Sequence, residues 1–275
     1  MHESSGVKSD AATEKNSASN PVSTGSTSAS DQLSRVDTSS YTRFLETFPL
    51  QGDALFTGLF ERHGDVIQTQ KAKFAVANLD KILTATFEIS ANSGFSRMSL
   101  RDLSKKAKMS LGAIYSCIER KEDIVLMVAD IVRLSSRLTR DHAIASDSLW
   151  TQIEQSIRYH LYASTILQPW YFFLYFETRS LPVDQQQAST RIELDAIDSF
   201  QSQIEAGIES GQFKADNPRA IANTIVVLLE DWYLKPWKTQ LQSNEFQSNQ
   251  QREEIIDAYY VDLITMIKSL LSVSD

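Results

Sequence analysis

The sequence predicts an all-α protein: a three-helix helix-turn-helix unit followed by a larger helical body. Three observations carry this. From residue 77 onward apolar residues recur at spacings of three and four, and no stretch alternates with period two for long enough to make a strand. Cap-forming residues stand where the periodic runs begin and end. Charge is also divided. Residues 71–121 hold ten Lys and Arg against four acids, a net of +6, which leaves −14 for the rest of a chain whose total is −8. A compact basic module on an acidic body is the footprint of a nucleic-acid-reading unit joined to something else.

Taken in order, residues 1–40 contain twelve serines and no aromatic residue. They cannot bury enough surface to offset the entropy of ordering, and are expected to form a disordered tail. Residues 41–70 form an extension that the sequence leaves open: Tyr41, Phe44, Phe48, Phe56 and Phe60 are apolar anchors, and residues 53–62 suit a short helix. The reading unit is expected over 71–121. Leu79, Ile82, Leu83, Thr86 and Phe87 mark the inner face of its first helix, which ends near Gly94, a residue suited to a left-handed cap. Ser99-Leu-Arg-Asp102 opens the second with a capping box. Ser110 caps a short third helix carrying Ile114 and Tyr115. Glu122 and Asp123 then occupy the first turn of a long fourth helix, where the helix dipole favours acids.

The body, 122–275, continues with helices expected over 149–167, 170–180, 188–210, 217–237 and 250–271, punctuated by Pro169, Pro182, Gly211 and Asn217-Pro218. In the last of these, Ile256, Tyr260, Leu263, Ile267 and Leu270 are spaced 4, 3, 4, 3, a heptad-like seam suited to a partner helix.

Several classes are excluded. No apolar run approaches the ~20 residues of a membrane span, the longest being 170–176 and 225–229. No basic patch leads into an apolar stretch at the N-terminus, so no secretory signal is expected and the chain reads as cytoplasmic. A lone cysteine, Cys117, makes neither an internal disulfide nor a thiolate metal site. The four histidines are scattered, and a phosphate loop, a paired His/Glu metal spacing and a nucleophile elbow are all missing. Neither an enzyme nor a cofactor or metal protein is expected.

The helix-turn-helix segment is also recognisable. Ile82-Leu-Thr-Ala-Thr-Phe87, Gly94-Phe95, Met98-Ser-Leu-Arg-Asp-Leu-Ser104, Ala107, Ser110-Leu-Gly-Ala-Ile-Tyr115 and Arg120-Lys-Glu-Asp-Ile124 resemble, without a gap, the N-terminal signature of TetR/AcrR transcription regulators. Two positions depart from it. Lys108 stands where the family usually has Gly at the turn, at a cost of about 1 kcal/mol if its φ is positive. Cys117-Ile118 stands where an aromatic pair is usual.

The resemblance implies a ligand-responsive homodimer that reads a palindromic double-stranded DNA operator at the nucleoid, as a repressor. Ser110, Leu111, Gly112, Ala113, Tyr115 and Ser116 would belong to the recognition helix. Ser99 and Arg101 would reach the DNA from the second helix, and Tyr115 and Lys121 would clamp phosphates. In the body the family places a small-molecule effector pocket and a two-fold interface. Trp170, Phe173, Leu174 and Glu177 share one helical stripe, which fits ordinary core as well as a pocket wall. Glu177 favours the pocket, because a carboxylate on a buried stripe needs a partner, either Arg158, Arg191 or a ligand donor. The interface is expected from Ile256, Tyr260, Leu263 and Ile267 with Ile221, Ile225 and Leu228, and Trp232 and Trp237 are assigned to interface packing. A second reading is a dimeric helical adaptor of the same fold that has lost specific DNA binding; Lys108 and Cys117-Ile118 are its support.

Overall fold

The computed structural model describes residues 36–69, 71–144, 148–178, 183–238 and 248–272. Among the described residues there are eleven α-helices and no strand. In chain order they are α1 Tyr41–Thr47, α2 Gly52–Arg62, α3 Ala72–Ser93, α4 Leu100–Ala107, α5 Leu111–Tyr115, α6 Glu122–Ile144, α7 Leu149–Ile166, α8 Gln168–Glu177, α9 Val183–Glu209, α10 Pro218–Leu234 and α11 Asn249–Leu271. No helix of the described residues is long and apolar enough to cross a membrane.

Helices α3, α4 and α5 pack on one another as the head. Local chemistry sets their ends. Gly94 closes α3 at φ 82°, a conformation that other residues rarely adopt. Ser99 Oγ accepts from the Asp102 N–H while the Asp102 carboxylate accepts from the Ser99 N–H, which completes the capping box of α4. Lys108 does take the left-handed conformation, at φ 53° and ψ 43°, and its N–H closes α4 on the carbonyls of Ser104 and Lys105. Ser110 Oγ accepts from the Ala113 N–H at 3.1 Å and starts α5. Beneath these turns Leu79, Ile82, Leu103, Ile114, Cys117 and Ile118 are fully buried. The Cys117-Ile118 pair therefore fills the space behind α5 without aromatic rings.

The long α6 leaves the head and packs on α7, α8 and α9, while α10 packs on α9, α7 and α8. Asp123 at its start is buried but satisfied, its carboxylate accepting from the N–H groups of Glu119 and Arg120, each at 2.9 Å. The seam of α11 is present, but it is filled within the chain. Ile256, Tyr260, Leu263 and Ile267 are buried where α11 meets α1, α7 and α10. Arg158 of α7 lies 3.9 Å over the Tyr260 ring and pairs with Asp257 at 3.2 Å. Ile225 is likewise fully buried, and Ile221 and Leu228 are half-buried. The expected interface residues are thus mostly core of a single protomer. Trp232, at 2% exposed with its indole N–H donating to Thr165 Oγ1, is core as well, whereas Trp237 is 63% exposed.

Order begins earlier than composition suggests. Val36 and Thr38 are buried, and Thr38 Oγ1 donates to Gln155 Oε1 at 2.9 Å, so residues 36–40 are not part of the disordered tail expected over 1–40; residues 1–35 lie outside the described residues. Phe44 of α1 stacks on Phe48 and packs on Tyr159 and Tyr162 of α7, with ring centroids 4.8–5.3 Å apart. Helix α2 packs on α3, and Phe56 meets Trp170 of α8. At its end Arg62 donates to Asp130 of α6 at 2.6 Å, with His63 at 3.4 Å from the same carboxylate. The N–H groups of Gln68 and Thr69 then donate to the Ser116 carbonyl, just past α5. One extension therefore touches the body, the connecting helix and the far end of the head.

Candidate nucleic-acid interface and ligand cavity

Helix α5 is carried on its cap and on Ile114, the one residue of its five that is buried. This leaves Leu111, Gly112 and Tyr115 outward, with Ala113 and Ser116 half-buried beside them. Tyr115 is 47% exposed, so it is not a core aromatic. Ser99 and Arg101 are exposed at the start of α4 and Ser110 at the start of α5, and Arg97, Lys105 and Lys108 are exposed around them. The structure thus gathers the expected recognition residues on one capped, basic unit, with the helix N-termini adding partial positive charge toward an anion.

Lys121 stands apart from this group. Its ammonium donates to the carbonyls of Phe95, Ser96 and Met98 at 3.3, 2.8 and 3.2 Å, and it lies 5.2 Å from the centre of the Phe95 ring. An ammonium has three donors, and all three are engaged here. In place of the expected phosphate clamp, Lys121 ties the start of α6 to the turn between α3 and α4.

That turn is also where the body grips the head. Glu177 Oε2 accepts from the Phe95 N–H at 2.6 Å, and Gly94 lets the chain turn there. Phe173 packs edge-on against Phe95 and Phe87, at 5.1 and 5.7 Å, and Trp170 packs on Phe87 at 5.2 Å. Of the expected pocket stripe, Trp170, Phe173 and Glu177 therefore form a head–body seam, in which Glu177 accepts from a backbone amide. Leu174 alone of the four lines a cavity.

The cavity, about 420 Å³, lies between α6, α7, α8, α9 and α10. Its α8 wall is the adjacent stripe, Tyr171, Leu174, Tyr175 and Thr178, displaced by one residue from the one expected. Helix α10 contributes Val226, Leu229, Glu230 and Tyr233, at i, i+3, i+4 and i+7. His160 and Ser156 face it from α7, Ser136 and Arg140 from α6, and Glu193 from α9. Burial, with Glu193 nearby, pushes the Glu230 carboxyl up to about 7. Burial pulls His160 down to about 4 and drives Tyr171 up to about 12 against its bond to Ser135. Sequence reasoning passed over Glu230, although it shows the same signal that drew attention to Glu177, a carboxylate on an otherwise apolar helical stripe. Among the described residues no group of three His, Cys, Asp or Glu is placed to hold a metal.

No family model matches the sequence, and no curated protein is similar to it. Solved structures do match. A TetR-family regulatory protein from Rhodococcus RHA1 is 18% identical, with 72% of this chain and 98% of that one covered at a TM-score of 0.59. The MbdR regulator of Azoarcus sp. CIB is 12% identical, with 68% and 97% covered at 0.57. The Bacillus subtilis transcriptional regulator FadR, solved in complex with stearoyl-CoA, is 15% identical, with 70% and 99% covered at 0.54. The chain has the fold of TetR-family transcription regulators.

Proposed function

We propose that the protein is a one-component transcription regulator. It is a homodimer that reads a palindromic DNA operator through residues 71–121, represses while bound, and lets go when a small molecule enters the cavity of residues 122–275. The observation that carries this reading is the double use of α8. One stripe of the helix lines the cavity and the next grips the head at Phe95, so a ligand that shifts α8 must act on the unit bearing α5. A dimer reads two half-sites at fixed separation, and a displacement of a few ångströms spoils the fit to both. The complex of the Bacillus regulator with stearoyl-CoA supports a ligand-responsive role, though not that ligand.

The DNA surface in this reading is Ser99, Arg101, Ser110, Leu111, Gly112, Ala113, Tyr115 and Ser116, with Lys121 holding the turn behind it. The two-fold contact falls on what α10 and α11 leave exposed, namely Val227, Val261, Met266 and Leu270, each about half exposed. The adaptor reading loses its support, since Lys108 adopts the required turn and Cys117-Ile118 pack fully. Work in the cytoplasm, at the nucleoid, follows from the same proposal.

The test is retention of genomic fragments by the purified full chain at low salt, followed by affinity measurements on the site recovered. Affinity is expected to fall by ~0.9 log units per log unit of salt for each phosphate neutralised. Arg101→Ala with Tyr115→Ala should weaken binding at least about tenfold, roughly 1.4 kcal/mol, without loss of fold. Light scattering should report about twice 31.0 kDa. A chain that retains no fragment, or a double variant that binds as well as the parent, overturns the proposal.

A further inference from the structure

We infer that the cavity selects a small organic cation, an aromatic or apolar amine whose charged nitrogen sits between Glu230 and the rings of Tyr171, Tyr175 and Tyr233. The inference rests on the effector reading above and adds to it the chemical class of ligand.

Two independent features of the cavity carry it. The first is charge. Neither Glu230 nor Glu193 has a hydrogen-bond or ion-pair partner among the described residues, and both line the cavity. Glu193 is exposed and Glu230 is half-buried, so the pair runs from solvent into the interior. A carboxylate taken from water without a partner is costly, and a cation arriving beside it recovers that cost. Tyr171 and Tyr233, both buried, pack with 4.8 Å between ring centres and their planes tilted by 46°, and a tyrosine face attracts a cation placed within about 6 Å of it. Arg140 is the one cation among the described lining residues. It does not offset Glu230, whose proton is held on by burial and by Glu193 with no cation opposing them.

The second feature is an unmet hydrogen-bonding capacity on α7, beside the same rings, since the His160 ring lies 5.4 Å from Tyr171 and 6.0 Å from Tyr233. Ser156 is 3% exposed and its Oγ has no partner, although it lines the cavity. One turn further along α7, His160 Nε2 is also buried without a partner. Buried polar atoms in a folded protein are nearly always satisfied, so two on one helix face leave a place for polar atoms of a ligand. The imidazole is held neutral, so it does not repel the cation. The ligand that fits is an apolar molecule whose hydrogen-bonding group lies near its cationic nitrogen, since His160 packs on the rings assigned to the cation. Stearoyl-CoA, the ligand of the Bacillus regulator, carries the opposite charge on its phosphates.

The charge pattern adds a pH signature. Around Glu230 stand Glu193 on α9, His160 on α7, Tyr171 and Tyr175 on α8, Tyr233 on α10 and Arg140 on α6. Glu230 is placed to gain its charge as pH rises through about 7, while His160 stays neutral and Tyr171 and Tyr233 stay protonated. Cation affinity is therefore full above pH 8 and falls as pH drops through 7.

The experiment titrates the full-length protein with three fluorescent aromatic probes, the cation rhodamine 6G, the anion 8-anilinonaphthalene-1-sulfonate and the neutral Nile red, at pH 8.5 and pH 6. Rhodamine 6G is expected to bind most tightly at pH 8.5 and to lose at least tenfold in affinity at pH 6. Glu230→Gln should remove tenfold or more at pH 8.5 together with the pH dependence, and Glu193→Gln should remove a few-fold. Both substitutions delete a charge with no partner, so they are expected to fold, which thermal unfolding checks. Preference for the anion or the neutral dye, or an unchanged cation affinity in Glu230→Gln, overturns the ligand class and leaves the cavity as an effector site. Binding of none of the three overturns the ligand class and the effector reading together. Cation binding that depends on Glu230 but leaves DNA affinity unchanged upholds the ligand class and overturns the regulatory reading.

Discussion

The head, α3 to α5, and the extension before it, α1 and α2, are both short helical pieces held by aromatic and aliphatic anchors, yet they are built on different principles. In the head the determinants lie a few residues apart. Ser99 caps with Asp102, Ser110 with Ala113, and Lys108 closes a turn on Ser104 and Lys105. In the extension they lie far apart, 68 residues for Arg62 and Asp130 and 117 for Thr38 and Gln155, and Phe44 likewise needs Tyr159 and Tyr162. The first kind of structure writes itself into the sequence as spacing, and the second leaves only an unexplained excess of phenylalanine.

The comparison can be broken most severely at Phe44. It is fully buried, so Phe44→Ala is expected to cost about 3–5 kcal/mol of global stability, as much as a core truncation such as Leu103→Ala in the head. Denaturant unfolding of the two variants measures this. A loss under about 1 kcal/mol for Phe44→Ala would mean that the extension merely rests on the fold.

How much was legible follows from the same contrast. The head, its capping box, its left-handed turn and the long helix after it could be read because local chemistry fixes them. In α8 almost every residue is apolar, so periodicity could not say which of two adjacent stripes faces the cavity, and Trp170, Phe173 and Glu177 were placed on the wrong side. The seam of α11 was legible but its partner was not. Ile256 and Leu263 announce a helix–helix contact equally well whether the second helix comes from a neighbour or, as here, from the same chain.

A milder break separates the extension from the connecting helix. Burial raises the Asp130 carboxyl, but His63 and Arg62 outweigh it and hold the group down to about 2. A carboxylate depressed on folding stabilises above its unfolded value and loses that contribution as pH falls through the folded one. Asp130→Asn is therefore expected to cost about 1 kcal/mol at pH 7, after allowance for the partial exposure of the pair, and progressively less between pH 4 and pH 2. A cost that does not change with pH would assign the effect to packing.

The smallest change sharpens the comparison from the head side. Lys108→Gly relieves a left-handed lysine and should raise stability by no more than about 1 kcal/mol. A loss on the same scale in denaturant unfolding would show that the lysine side chain, rather than the turn, is what the head uses there.

The contact of α1 with α11 also has a consequence for synthesis. Translation delivers Tyr41, Phe44 and Phe48 first, yet α7 follows more than a hundred residues later and α11 some two hundred. At 5–20 residues per second this leaves the aromatic cluster of α1 without its final partner for roughly ten seconds or more. The head can form in that interval from its own short-range contacts, while the extension waits. Of the described helices, the last to be made packs against the first.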